Sequence, residues 1–142
     1  MKIASKILII SMTVLFWSCA EADEEFVHDS TIITQMICRA QHGGTEFRAT
    51  ILEYDKNGNL ITGEFTEKDV EGGYGRAIFE VSQSLEDEVD LTNVYVTATL
   101  SWDQFITPTL SGRHDITGDG IVITVKSGTG TTRSYRIQGE YR

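Results

Sequence analysis

From residue 31 to the C-terminus, apolar and polar residues alternate one by one, and glycine, asparagine and aspartate cut the alternation at intervals. A period of two is the geometry of a strand with one covered face and one wet face. It commits most of this chain to half-buried β-structure. The clearest run is Val94, Val96, Ala98, Leu100 and Trp102, alternating with Asn93, Tyr95, Thr97, Thr99 and Ser101. Ala77, Phe79 and Val81 alternate with Arg76, Ile78 and Glu80. Tyr135, Ile137, Gly139 and Tyr141 alternate with Ser134, Arg136, Gln138 and Glu140. Phe47, Ala49 and Ile51 oppose Glu46, Arg48 and Thr50, and Ile121, Ile123 and Val125 form a shorter run. Residues 31–39 and 60–66 are weaker strand candidates.

Turn chemistry joins these runs. Asp55-Lys56-Asn57-Gly58-Asn59 predicts a hairpin between 45–54 and 60–66. Ser127-Gly128-Thr129-Gly130 predicts another between 120–126 and 132–141. Pro108, the sole proline, confines residues 105–112 to a sheet edge or a loop. Residues 84–90, rich in acids, read as an exposed loop. About seven strands result, or eight with 105–112, and no long helix is expected. The expected fold class is all-β, an antiparallel two-sheet β-sandwich, with a small closed β-barrel as the alternative.

Upstream the pattern changes. Lys2 and Lys6 precede the apolar run Ile7–Trp17, and Ser18 and Cys19 follow at once. A basic start, an apolar core and a small residue form a secretory signal. The run is too short to cross a hydrocarbon layer about 30 Å thick. The cleavage region, with Leu15, Phe16, Trp17 and Ser18 before Cys19, resembles a lipobox of Gram-negative lipoproteins. The resemblance implies cleavage after residue 18, a lipid such as palmitate on Cys19, and anchorage in the outer membrane. The competing reading is ordinary cleavage near Ala20 or Ala22. Residues 1–18 are thus read as signal peptide, 19–30 as lipidated cysteine and acidic disordered tether, and 31–142 as one domain. Glu21, Asp23, Glu24, Glu25 and Asp29 crowd the tether without a lysine or arginine. It resembles the acidic export signal of surface-exposed lipoproteins, and a plain solvated spacer fits equally.

Residues 46–100 resemble bacterial immunoglobulin-like and transthyretin-like sandwich domains. The residues that carry this are Asp55, Gly58, Asn59, Ile61, Gly63 and Thr66, then Gly75, Ala77, Phe79 and Val81, then Val94, Val96 and Ala98. Such domains act as spacers, adhesion modules or binding modules, which implies a non-enzymatic role here.

The residues themselves offer little chemistry. His28, His42 and His114 lack metal-ligand spacing. Ser111, His114 and Asp115 make an implausible triad, because neighbours on a strand point opposite ways. Asp55-x-Asn57-x-Asn59 alternates oxygen side chains as early calcium loops do, but reads better as a bare turn. No catalytic residue, metal or cofactor is expected. The net charge of -9 and the absence of a basic run argue against nucleic acid as a partner. Cys38 lies in an apolar run and reads as a buried, inert thiol. Trp102 falls on the inward phase and is expected in the core. Tyr95, on the outward phase, and Tyr74, among glycines, are the candidate surface-binding residues for a protein or glycan. The expected function is that of a non-catalytic, lipid-anchored envelope protein. A periplasmic barrel carrying a small apolar ligand is the alternative, and a hydrolase stands third.

The anchor is directly measurable. Mass spectrometry of the mature protein should find an acylated Cys19 as its first residue, and Cys19→Ala should release a soluble form or block processing. An unmodified N-terminus at Ala20 or beyond would remove the anchor.

Overall fold

The computed structural model describes residues 28–142. Signal peptide, Cys19 and most of the acidic segment lie outside the described residues. The strands are β1 (Met36–Arg39), β2 (Phe47–Arg48), β3 (Thr50–Tyr54), β4 (Tyr74–Val81), β5 (Val94–Ala98), β6 (Phe105–Thr107), β7 (Arg113–His114), β8 (Ile121–Lys126) and β9 (Thr132–Tyr141). One short helix, α1 (Glu67–Val70), precedes β4. Strands β2-β1-β5-β7 form a four-stranded sheet, and β3-β4-β9-β8-β6 form a five-stranded sheet. The two sheets do not close into a barrel, so the fold is the sandwich and the barrel alternative falls. A carrier that encloses its ligand in a barrel loses its basis with it.

Among the described residues, every strand pairing is antiparallel except one. The longest strands, β4 and β9, run parallel at the centre of the five-stranded sheet, from Tyr74 opposite Ser134 to Val81 opposite Tyr141. Their inward residues lie side by side, so Ala77, Phe79 and Val81 share the interior with Tyr135 and Ile137. Gly75 is required at its place by close approach. A Cβ there would stand 2.1 Å from the ring of Tyr135, which lies across it. From the other sheet Met36, Cys38, Val94 and Val96 close the core. Burial pushes the Cys38 thiol up to about 12, so it stays protonated and inert in the core, as its apolar run implies.

Three sequence expectations change form. The run 45–54 is not one strand. Its phase persists, with Phe47, Ala49 and Ile51 all packed on the core, but the chain leaves the four-stranded sheet at Ala49 and enters the five-stranded one. Residues 60–66 form no strand. The Asp55 turn forms as expected, its carboxylate accepting from the Asn57 and Asn59 amides at 2.9 Å each. The hairpin then stops after the single bridge Tyr54–Leu60, because the chain turns at Gly63 (φ 79°) toward α1. β3 takes β4 as its partner instead. Trp102 is not in the core but 79% exposed. The β5 ladder ends near Thr99, whose amide donates to the Gln35 carbonyl, and Asp103 then adopts φ 61°. Strand phase predicts a side chain's direction only while the ladder continues. The Ser127–Gly130 turn joins β8 to β9 as expected. Pro108 follows the edge strand β6.

The core also holds an ion pair. Glu53 and Arg133 point inward from β3 and β9, both almost fully buried. Glu53 Oε2 accepts from Arg133 Nε at 2.9 Å and Nη2 at 2.5 Å, while Oε1 accepts from the Tyr135 hydroxyl at 2.6 Å. Arg133 also donates to the carbonyls of Val70 (2.6 Å), Tyr74 (2.6 Å) and Tyr54 (3.2 Å). The Tyr135 oxygen in turn accepts from the Ile33 amide at 3.0 Å. Burial pushes the Glu53 carboxyl above its ordinary value, with the Tyr135 and Arg133 hydrogen bonds pulling against it. Burial and the adjacent Glu53 charge push the Tyr135 hydroxyl up as well.

Two predictions follow from this packing. Phe79 is fully buried and Thr97 is exposed on the outer face of β5. Phe79→Ala should cost about 3–5 kcal/mol in a thermal or urea melt, and Thr97→Ala should stay within about 0.5 kcal/mol. The reverse order would mean that the strand phase is wrong. Arg133→Met leaves Glu53 buried without its cation and takes a donor from the Tyr54, Tyr74 and Val70 carbonyls, the last of which keeps the Gly73 amide, so it should cost about 3–5 kcal/mol. Glu53→Gln keeps an acceptor for Tyr135 and leaves those three carbonyls paired, so it should cost less. Equal losses from both would show that the broken ion pair accounts for the whole cost and the carbonyl contacts add nothing to it.

Candidate functional site

Tyr95 and Tyr74 do not share a site. Tyr95 lies on β5, and its outward phase puts it on the open face of the four-stranded sheet. Tyr74 begins β4 and takes the open face of the five-stranded sheet. These faces lie on opposite sides of the sandwich. Tyr74 stacks on Tyr54 at 4.8 Å with the rings 12° apart, so one aromatic surface of each is occupied.

Tyr95 is half-buried rather than bare. The Arg113 guanidinium sits 4.5 Å above its ring, and the His42 ring lies 4.0 Å away. Register explains the crowding. Tyr95 is opposite Arg39 on β1 and opposite Arg113 on β7. Arg48, opposite Ile37, shares the same face. Arg113 is held in place by donating to the Ala40 and Asn93 carbonyls at 2.9 Å each. Arg39 pairs with Glu46, but its Nε is buried without a hydrogen-bond partner. None of the four strands carries an aspartate or glutamate. Arg113 also lines an open cleft of about 430 Å³ with Gln41, Thr45 and Glu88, so Glu88 joins Glu46 as an acid near the arginines. The sequence contains no basic run because Arg39 and Arg48 stand nine residues apart and Arg113 far downstream. Strand pairing alone assembles them.

A second surface lies where β5 ends and β6 begins, and sequence reasoning missed it by placing Trp102 inside. Leu100, Trp102 and Phe105 are exposed by 43%, 79% and 65%. Leu100 and Phe105 border an apolar groove of about 430 Å³ together with Ala98, Ile106 and Leu110. The loop that carries Trp102 is braced from within. Gln104 is buried and donates to the carbonyls of Ser30 and Ile32, while its oxygen accepts from the Ser101 amide. Asp103 accepts from the His28 amide at 3.3 Å and lies 3.1 Å from His28 Nδ1. These contacts hold the Asp103 carboxyl below its usual value. Three large apolar residues within six positions were the available sequence signal.

The described end of the acidic segment is docked, not free. The Asp29 carboxylate accepts from Ser127 and Thr131 hydroxyls at 2.9 Å each and from Thr129, and these bonds, that of Thr129 foremost, hold its carboxyl below the usual value. The Gly128 amide donates to the His28 carbonyl at 3.0 Å. Residues 28–30 therefore enter the domain between the β8–β9 turn and the Trp102 loop.

No family model matches this chain, and no curated protein matches it. Among solved structures, the chain is similar to the crystal structure of a "putative secreted protein" from Bacteroides fragilis. Identity is 15% and the TM-score 0.46, over 80% of this chain and 97% of that one.

Proposed function

We propose that this protein is a non-catalytic, lipid-anchored module of the Gram-negative cell envelope. It is held in the outer membrane through acylated Cys19, displayed at the surface, and binds a carboxylate-bearing partner on the open face of its four-stranded sheet. The observation that carries the binding reading is the Tyr95 cluster. Arg39, Arg113 and His42 gather around one tyrosine with Arg48 on the same face, on strands without a single acid, Arg39 pairing with Glu46 of the β1–β2 connection, in a chain of net charge -9. Planar guanidinium groups suit carboxylates, which accept two parallel hydrogen bonds. A local positive field on an otherwise acidic molecule also orients an anionic partner toward that face. The signal-like start and the lipobox-like residues before Cys19 support the anchor. The resemblance of residues 46–100 to immunoglobulin-like and transthyretin-like domains supports a binding role over a catalytic one.

The test titrates the mature protein with polygalacturonate, a chain of carboxylated sugars, beside uncharged amylose. Polygalacturonate should bind, more weakly as salt rises, and amylose should not. Arg113→Ala should weaken binding about tenfold, as expected for a lost charge-assisted contact worth roughly 1.5 kcal/mol. Equal binding by the variant, or equal binding of both polymers, would overturn the assignment.

A further inference from the structure

We propose that the Leu100–Trp102–Phe105 patch is a second membrane contact, lying on the lipid surface that holds the anchor. The inference rests on acylation of Cys19 and goes beyond it. The path of the chain carries it. Residues 19–27 link the acylated position to His28, a nine-residue segment that spans about 30 Å even when fully extended. A domain of this size is about 35 Å across. His28 does not meet the domain at an arbitrary point. It is bound to Asp103, the residue after Trp102. The link therefore enters the domain next to Trp102, at the edge of the apolar patch. The patch reaches the lipid surface with the link slack, whereas any opposite face must roll the domain around this point.

The chemistry of the patch fits such a surface. Tryptophan favours the interface between headgroups and acyl chains, where its ring is apolar and its N–H stays hydrated. Leu100 and Phe105 add apolar area on either side, and the groove between them can accept part of an acyl chain. The loop is already fixed by Gln104 and Asp103, so little conformational freedom is lost on contact. The patch needs only weak intrinsic affinity, because the anchor makes the second contact intramolecular.

The sequence supplies its own probe. The chain has two tryptophans, Trp17 and Trp102, and removal of residues 1–18 leaves Trp102 alone. The mature lipidated protein is reconstituted in vesicles of phosphatidylethanolamine and phosphatidylcholine with brominated acyl chains. Trp102 emission should shift to shorter wavelength and be quenched by the bromines. Leu100→Ser with Phe105→Ser, both exposed, should abolish shift and quenching while leaving vesicle flotation and the melting temperature unchanged. Flotation with a water-like, unquenched Trp102 overturns the proposal alone. Quenching that survives the double substitution overturns it too. A concentration-dependent shift without lipid would place a second copy on the patch and also overturn it. Loss of flotation with an unacylated N-terminus overturns the anchor, and this contact falls with it.

Discussion

Arg133 is the point on which the two halves of the five-stranded sheet depend. Its guanidinium reaches Glu53 on β3, the Tyr54 and Tyr74 carbonyls at the ends of β3 and β4, and the Val70 carbonyl at the end of α1. One side chain thus ties together backbone carbonyls from two strands and the helix that precedes β4. An unpaired buried carbonyl costs about as much as a lost hydrogen bond. A buried carboxylate costs more unless its charge is matched. Glu53 and Arg133 cover each other's desolvation, and Tyr135 links the pair to Ile33, just upstream of the facing sheet.

That network also sets the position of the N-terminal approach. Ile33 donates to Tyr135, and the carbonyls of Ser30 and Ile32 accept from Gln104. Asp29 is bound to the β8–β9 turn, and Ser30 to Glu67 at the start of α1. The entering segment is therefore threaded between a turn, a helix and the Trp102 loop. Its course places the Trp102 loop beside His28, where the described chain begins. The arginine face around Tyr95 belongs instead to the open side of the other sheet. Two surfaces of opposite chemistry, one apolar and one cationic, are thus held in a fixed relation by the same core.

The buried pair was half legible in the sequence. Glu53 follows Phe47, Ala49 and Ile51 on the same phase, and Arg133 precedes Tyr135 and Ile137 on theirs. A lone acid on one apolar phase and a lone base on another are a recognisable complementary signal. What hid it was the interval of 80 residues between them, since nothing local says that β3 and β9 will flank β4. The parallel pairing of β4 with β9 escaped for the same reason. Hairpin turns announce antiparallel neighbours, but a parallel neighbour comes from far along the chain. Trp102 was misplaced because alternation continues in the letters after the hydrogen-bonded ladder has stopped.

Alternation by itself determined that this chain forms strands and that the side chains of Phe79, Val96 and Tyr135 go inward, and it favoured two covered faces meeting in a sandwich over a closed barrel. The physical reason is local: the pleat sends successive side chains to opposite sides whatever the rest of the molecule does. Turn residues likewise determined the bend at Asp55–Asn59 and the β8–β9 hairpin. Only the tertiary structure decided the order of strands, the switch between sheets at Ala49, the meeting of Arg39 and Arg113 at Tyr95, and the exposure of Trp102 next to the Asp103–His28 contact. These depend on contacts between segments tens of residues apart. Their free energy comes from burial and pairing in the completed sandwich, and no short stretch of chain carries that information.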